Sequence, residues 1–98
     1  MPSTTMMSAV KLALRLTTDA FDTEISDLID AAYDDLRLCG IIIESASEED
    51  PLVKRAVVTY CRAHFGQPED GFYDRLKKAY DEQKAQLQGS QVWTEVTS

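Results

Sequence analysis

The chain has 98 residues, of which 44% are hydrophobic and 28% charged, enough for one domain with one modest core. Acidic residues number 17 against 10 lysines and arginines, and the net charge of -7 argues against ordinary binding to nucleic acid or to an anionic membrane. No segment approaches the roughly 20 apolar residues that cross a bilayer, and the N-terminus lacks a signal-peptide pattern, so we expect a cytoplasmic protein.

The first predicted element is a short helix. Residues 1–6 are rich in Ser, Thr and Pro and are expected to be disordered. Beyond them apolar residues recur at helical spacing, which predicts a helix over 7–15. A strand stays open here, because apolar residues of the same stretch also alternate: Val10, Leu12, Leu14 and Leu16.

The second helix is predicted over 23–39, with Asp22 or Thr23 as the N-cap and Gly40 as the C-cap. Its apolar residues form one stripe: Ile25, Leu28, Ile29, Ala32 and Leu36. Four acids lie mostly on the opposite faces and form a candidate acidic surface: Asp27, Asp30, Asp34 and Asp35. Residues 41–43, three isoleucines, are expected to pack over the helices as an extended apolar plug, and 45–50 to form an acidic loop.

The third helix is predicted over 51–65, because Asp50 before Pro51 is typical of a helix start. Its wide apolar face predicts the central, most buried helix: Leu52, Val53, Ala56, Val57, Tyr60, Cys61 and His64. The fourth helix is predicted over 69–88, with Gly89 and Ser90 ending it. The whole is therefore expected to be an all-α compact bundle of about four helices, with one domain over 7–88 and flexible tails on both sides.

The predicted C-terminal tail, 89–98, contains the single tryptophan. Trp93 and its neighbours Val92 and Val96 either cover the core of this chain or dock on a partner, since tryptophan is enriched at interface hot spots. The alternating residues of the tail could also add a strand to the sheet edge of a partner.

No pattern predicts a catalytic centre, a cofactor site or a metal site. His64 is the single histidine, and with Cys61 it provides only half of a zinc ligand set. We expect His64 at the edge of the core and Cys61 as a small buried residue. The 4 glycines are scattered, so no phosphate-binding loop is predicted. The protein is expected not to be an enzyme.

The order and spacing of five sequence segments, taken together, resemble those of a known family, although no single segment is specific. The segments are Val10-Lys11-x-x-Leu14-Arg15-Leu16, Asp22-x-Glu24-Ile25-x-x-Leu28-Ile29-x-Ala31-Ala32, Asp50-Pro51-Leu52-Val53-Lys54-x-Ala56-Val57, Ala63-His64-Phe65-Gly66 and Phe72-x-x-x-x-Lys77-x-x-Tyr80. Together they resemble the small head–tail connector (adaptor) proteins of tailed double-stranded DNA phages, which are sometimes labelled as possible DNA-packaging proteins. The resemblance spans about residues 9–87.

The resemblance implies a structural subunit of the virion, assembled in the host cytoplasm as a ring of about a dozen copies. Such a ring lies beneath the portal, joins it to a tail-side completion or stopper protein, and lets DNA pass without specific binding. It has no catalytic residues. The candidate acids Asp27, Asp30, Asp34 and Asp35 would then line the lumen and repel phosphate. The alternative is a small acidic helical regulator, monomeric or dimeric, that blocks a basic partner.

Overall fold

The structure, a computed structural model, describes residues 4–43, 50–66 and 71–97, and of residues 4 and 90–97 it describes the backbone alone. These ranges form the helices α1 (Thr4–Ala13), α2 (Asp22–Leu38), α3 (Pro51–His64) and α4 (Phe72–Thr97), and they contain no strand. The all-α prediction is confirmed. Residues 10–16, for which a strand was the alternative, are helical as far as Ala13.

Helix α1 begins earlier than predicted. The expected disorder of residues 1–6 is wrong from Thr4 onward, and residues 1–3 lie outside the described ranges. Met6 is fully buried because it lies one turn before Val10, on the same face of the helix. At the other end Arg15 adopts a left-handed conformation (φ 59°), and the Leu16 amide donates to the carbonyl of Lys11 at 2.9 Å. This turn ends the helix in the manner of a Schellman motif.

Helices α2 and α3 begin and end within one residue of the predicted positions. The predicted N-cap of α2 is wrong, because Phe21 occupies that position and no side chain caps the helix there. The Asp50 carboxylate accepts a hydrogen bond from the Leu52 amide at 2.9 Å, which confirms Asp50 as the N-cap of α3. At the end of α2, Gly40 has φ 84° and the Ile41 amide donates to the Leu36 carbonyl at 3.0 Å. A glycine is favoured here because the left-handed conformation is strained for other residues.

Helix α4 does not end at Gln88 as predicted but continues to Thr97, so residues 89–97 are helical rather than a separate tail. A helical glycine costs about 1 kcal/mol relative to alanine, which weakens a helix without removing any backbone hydrogen bond. Gly89 is therefore compatible with a continuous helix. The predicted start at residue 69 falls in 67–70, outside the described ranges, and Phe72 is the first helical residue after Gly71.

The core lies around α3, which packs against each of the other three helices and is central as predicted. The buried cluster is contributed by every helix and by the segment after α2: Met6, Val10, Ile25, Ile29, Ala32, Tyr33, Leu36, Ile41, Val53, Ala56, Val57, Cys61, Tyr80 and Leu87. Of the isoleucine plug, Ile41 is buried and Ile42 is 48% exposed. Most of the predicted acidic loop, 45–49, lies outside the described ranges.

A polar contact joins α2 to α4 beside this core. The Tyr80 hydroxyl donates to Asp35 Oδ2 at 2.6 Å, and Lys84 Nζ lies 3.4 Å from the same oxygen and 4.8 Å from the Tyr80 ring centroid. Burial, and then the bond to Asp35, raises the pKa of Tyr80. Burial by itself would lower the pKa of Lys84, but the Asp35 carboxylate more than offsets this and the pKa is raised. Gln88 adds a second link by donating to the Cys39 carbonyl at 2.7 Å.

The substitution Met6→Ala tests the early start of α1. We expect it to lower the free energy of unfolding by about 2–5 kcal/mol, the usual cost of truncating a buried methionine. Met7→Ala is the matched control, because Met7 is only half-buried and the residue types are identical. Chemical denaturation of both variants measures the difference. Equal losses would contradict the burial of Met6.

The substitution Tyr80→Phe tests the contact between α2 and α4. We expect a loss of about 1.5–3 kcal/mol in the free energy of unfolding, because the bond is made to a charged acceptor. The folded pKa of Tyr80 lies above its ordinary value of 10.0, so the stability it contributes is present below that pH and is lost as the pH rises beyond it. Alkaline destabilisation should therefore be weaker in Tyr80→Phe.

Tyr73→Phe is the control for this measurement, since Tyr73 lies on the same helix and is 36% exposed. We expect a change within about 0.5 kcal/mol, as is usual at the surface. An alkaline profile of Tyr80→Phe identical to that of Tyr73→Phe would show that the Tyr80 hydroxyl is not held by Asp35.

Candidate protein–protein interface

The two residues with most potential for chemistry, Cys61 and His64, lie on the same helix but differ in exposure. Cys61 is fully buried, and burial raises the pKa of its thiol to about 12, so the reactive thiolate is strongly disfavoured. His64 is exposed rather than at the edge of the core as predicted, and its ring lies 4.3 Å from that of Tyr60 and 5.8 Å from that of Tyr73, centroid to centroid. The pair therefore offers neither a nucleophile with its base nor a metal site.

No group of three or more histidine, cysteine or carboxylate side chains in the described ranges could hold a metal ion. Within the same ranges, none of the helices has both the length and the apolar character needed to cross a bilayer. The described side chains form charged surface, with most of the acids of α2 exposed and with bases but no acid on α3.

The acidic face of the molecule is the outer side of α2, here defined by Glu24, Asp27, Asp30 and Asp34, all exposed. Helix α2 contains 6 acids and a single base, Arg37, which lies 3.3 Å from Asp34. Asp35 was predicted to belong with Asp27, Asp30 and Asp34, but the structure directs it inward to Tyr80 and Lys84. Three of the four predicted acids thus share a surface, and the fourth is structural.

A concavity of about 540 Å³, the acidic groove, lies at the start of this face. Glu24 and Asp27 supply its charge, and Phe21 and Leu28 supply apolar surface. Phe21 is 42% exposed although its ring is also in edge contact with Phe65, at 5.5 Å between centroids. No basic residue of the described ranges lines the acidic groove.

Lys11 forms ion pairs with two other acids near the start of α2. Its ammonium lies 2.7 Å from Asp19 and 2.9 Å from Asp22. The hydrogen bond to Asp19, followed by that to Asp22, raises the pKa of Lys11, and the bond to Lys11 lowers the pKa of Asp19. These contacts hold α1 against the connector before α2. Lys11 forms no ion pair with the residues of the acidic face, which lie further along the helix.

A second concavity of similar size, the basic groove, lies between α1, α3 and α4. Lys54, Arg55 and Arg62 supply its charge, and no acid among the described residues lines it. Its apolar surface comes from five small or aliphatic side chains: Ala9, Pro51, Val58, Leu76 and Ala79. Sequence reasoning missed this groove, although a signal was present: α3 has no acid in a chain of net charge -7.

The position of the basic groove follows from the periodicity of α3. Lys54, Val58 and Arg62 recur at steps of four, in a row about 100° around the helix from the buried Val53, Val57 and Cys61. The Arg62 guanidinium lies 5.6 Å from the centroid of the Phe72 ring at the start of α4, which helps to keep it at the rim. Gln83 Oε1 is buried at the edge of this groove and has no hydrogen-bond partner among the described atoms.

The predicted partner-docking residues Val92, Trp93 and Val96 lie on the last turns of α4. Their side chains are outside the described part of the chain. In a helix, residues at these three positions lie within about one third of the circumference, so they form a single apolar stripe rather than the alternating pattern of a strand. The helical backbone of residues 91–97 favours docking of a helix face over strand addition, and docking stays a prediction.

Comparison with known proteins identifies the type of protein. Neither the curated proteins nor the solved structures gave a significant match. A family model described as phage connector protein matches residues 6–92, which include all of α2 and α3 and most of α1 and α4. The match covers the buried core of the described residues, from Met6 to Leu87. The chain belongs to the phage connector protein family.

Proposed function

We propose that this protein is a structural head–tail connector of a tailed double-stranded DNA phage or prophage, and that it assembles as a ring beneath the portal. The observation that carries the proposal is the family match over residues 6–92. Connector proteins associate with portal and other head–tail proteins and are in general structural rather than enzymatic. The proposed location is accordingly the head–tail interface of the virion, after assembly in the host cytoplasm.

The proposed ring joins the portal to a tail-side completion or stopper protein and leaves a central hole for DNA. The net charge of -7 supports passage without specific binding, because an acidic surface repels phosphate at close range. The sequence assigned Asp27, Asp30, Asp34 and Asp35 to the lumen. Asp35 is the weakest member of that set, because its carboxylate is bonded to Tyr80 within the subunit.

The last turns of α4 are the proposed docking element for the portal. Leu87 is the last buried residue of α4 whose side chain is described, and the helix continues to Thr97 beyond it. Val92, Trp93 and Val96 share one side of those turns. An amphipathic helix end with a tryptophan suits a hydrophobic groove on a partner, where tryptophan is a frequent anchor.

Binding to the purified portal of the same phage tests this proposal. We expect Trp93→Ala to weaken binding by at least about 30-fold, since truncating a hot-spot residue costs 2 kcal/mol or more. A chain shortened after Ser90 should bind no better than Trp93→Ala. Calorimetry or surface plasmon resonance gives the affinities.

Tyr73→Ala is the control, because it removes another exposed aromatic side chain from α4 far from its end. Affinity retained by Tyr73→Ala and lost by Trp93→Ala supports the docking element. Equal binding by the shortened and full chains would rule out the docking role of Trp93 and leave the connector in place. If the chain does not bind the portal but binds a basic peptide, the result would support the alternative, an acidic helical regulator.

A further inference from the structure

We propose that neighbouring copies of this chain associate head to tail, with the acidic face of α2 on one copy seated in the basic groove of the next. The inference rests on the proposed ring and specifies its subunit contact. It also reassigns Asp27 and Asp30 from the lumen to the contact between subunits.

The first argument is charge complementarity. One concavity is lined by Glu24 and Asp27 and the other by Lys54, Arg55 and Arg62, and neither contains the opposite sign among its described lining residues. Complementary potentials guide association and suppress wrong arrangements more than they add affinity. A chain with net charge -7 would repel its own copies unless its few bases were concentrated at the contact.

The second argument is geometric. Helices α2 and α3 pack together, and the acidic groove on α2 and the basic groove on α3 are lined by different residues. No described residue of α2 lines the basic groove, and none of α3 lines the acidic groove. The acidic face therefore cannot fill the basic groove of its own chain. A second copy can, and its own basic groove then remains open for a third.

The third argument is apolar surface beside each charged set. The basic groove contains Val58, Leu76 and Ala79, and the acidic face is flanked by Phe21 at one end and by Leu38, which is 86% exposed, at the other. Apolar area removed from water supplies the affinity that surface ion pairs alone do not give. Each surface thus offers both the specificity and the area that a subunit contact needs.

Such a contact is heterologous, since two different surfaces of the chain meet. Heterologous contacts close into rings when the rotation between copies divides a full turn, and otherwise form filaments. A heterologous contact leaves one of the two surfaces of each copy free for the next copy, so it is compatible with the proposed ring.

Charge reversal tests the proposal in the full-length chain, alone and bound to the purified portal. Asp27→Lys/Asp30→Lys removes the net negative charge of the acidic face and places two lysines opposite the basic groove, and Lys54→Glu/Arg55→Glu makes the net charge of the groove negative. We expect each variant to lose self-association by roughly 100-fold or more at low salt, because like charges placed across an interface cost several kcal/mol. Mass photometry or sedimentation measures the assembly.

Two further samples distinguish a direct contact from a general effect of net charge. Combining all four substitutions in one chain exchanges the signs, keeps the wild-type net charge and should restore assembly. Mixing the two double variants should also restore it, with alternating copies, since every contact then joins opposite charges. Asp74→Lys/Glu82→Lys and Lys77→Glu/Lys78→Glu, on exposed positions of α4 outside both grooves, are the matched controls and should assemble like wild type.

The outcomes separate this inference from the proposed function. Rings on the portal that survive both double reversals would overturn the contact but leave the connector. If the Asp27→Lys/Asp30→Lys variant forms normal rings but retards DNA, these acids line the lumen and the contact is wrong. If wild type binds DNA and the Lys54→Glu/Arg55→Glu variant does not, the basic groove binds nucleic acid and the proposed subunit contact is wrong. Failure of wild type to bind the portal or itself would overturn both proposals.

Discussion

The packing of α3 is the constraint on which the rest of the structure depends. This helix of 14 residues contacts each of the other three, and Val53, Ala56, Val57 and Cys61 are buried against them. In a chain of 98 residues, one helix that supplies core to every neighbour uses all of its apolar side. Only its outer side is left for contact with other molecules, and the ionised residues on that side are all basic: Lys54, Arg55 and Arg62.

Much of the fold follows from local pattern. The stripe of α2 and the Asp50-Pro51 start of α3 are short-range signals, and the structure agrees with both to within a residue. The sequence failed where a distant contact decides the outcome. Met6 is helical because it completes a core formed by residues far along the chain, and Asp35 turns inward because Tyr80, 45 residues later, donates to it. Neither partner can be identified from spacing.

In the candidate interface, too, short-range patterns could be predicted from the sequence and contacts between distant residues could not. Periodicity placed Asp27, Asp30 and Asp34 on one exposed face, which is a property of a single helix. The basic groove needs three helices to be positioned, with Ala9 from α1 and Leu76 from α4 on either side of α3. A net charge also hides how charge is distributed: the average over the chain is strongly acidic, whereas α3 contains bases and no acid.

The placement of acid on α2 and base on α3 gives the molecule a direction. A ring assembled by such a contact has no two-fold axis in its plane, so its upper and lower rims are different surfaces. A ring of this kind would present one rim to the head and the other to the tail. The order of the components along the particle axis would then follow from the surfaces of one polypeptide. The separation of charge on two helices would in this way orient the whole neck of the particle.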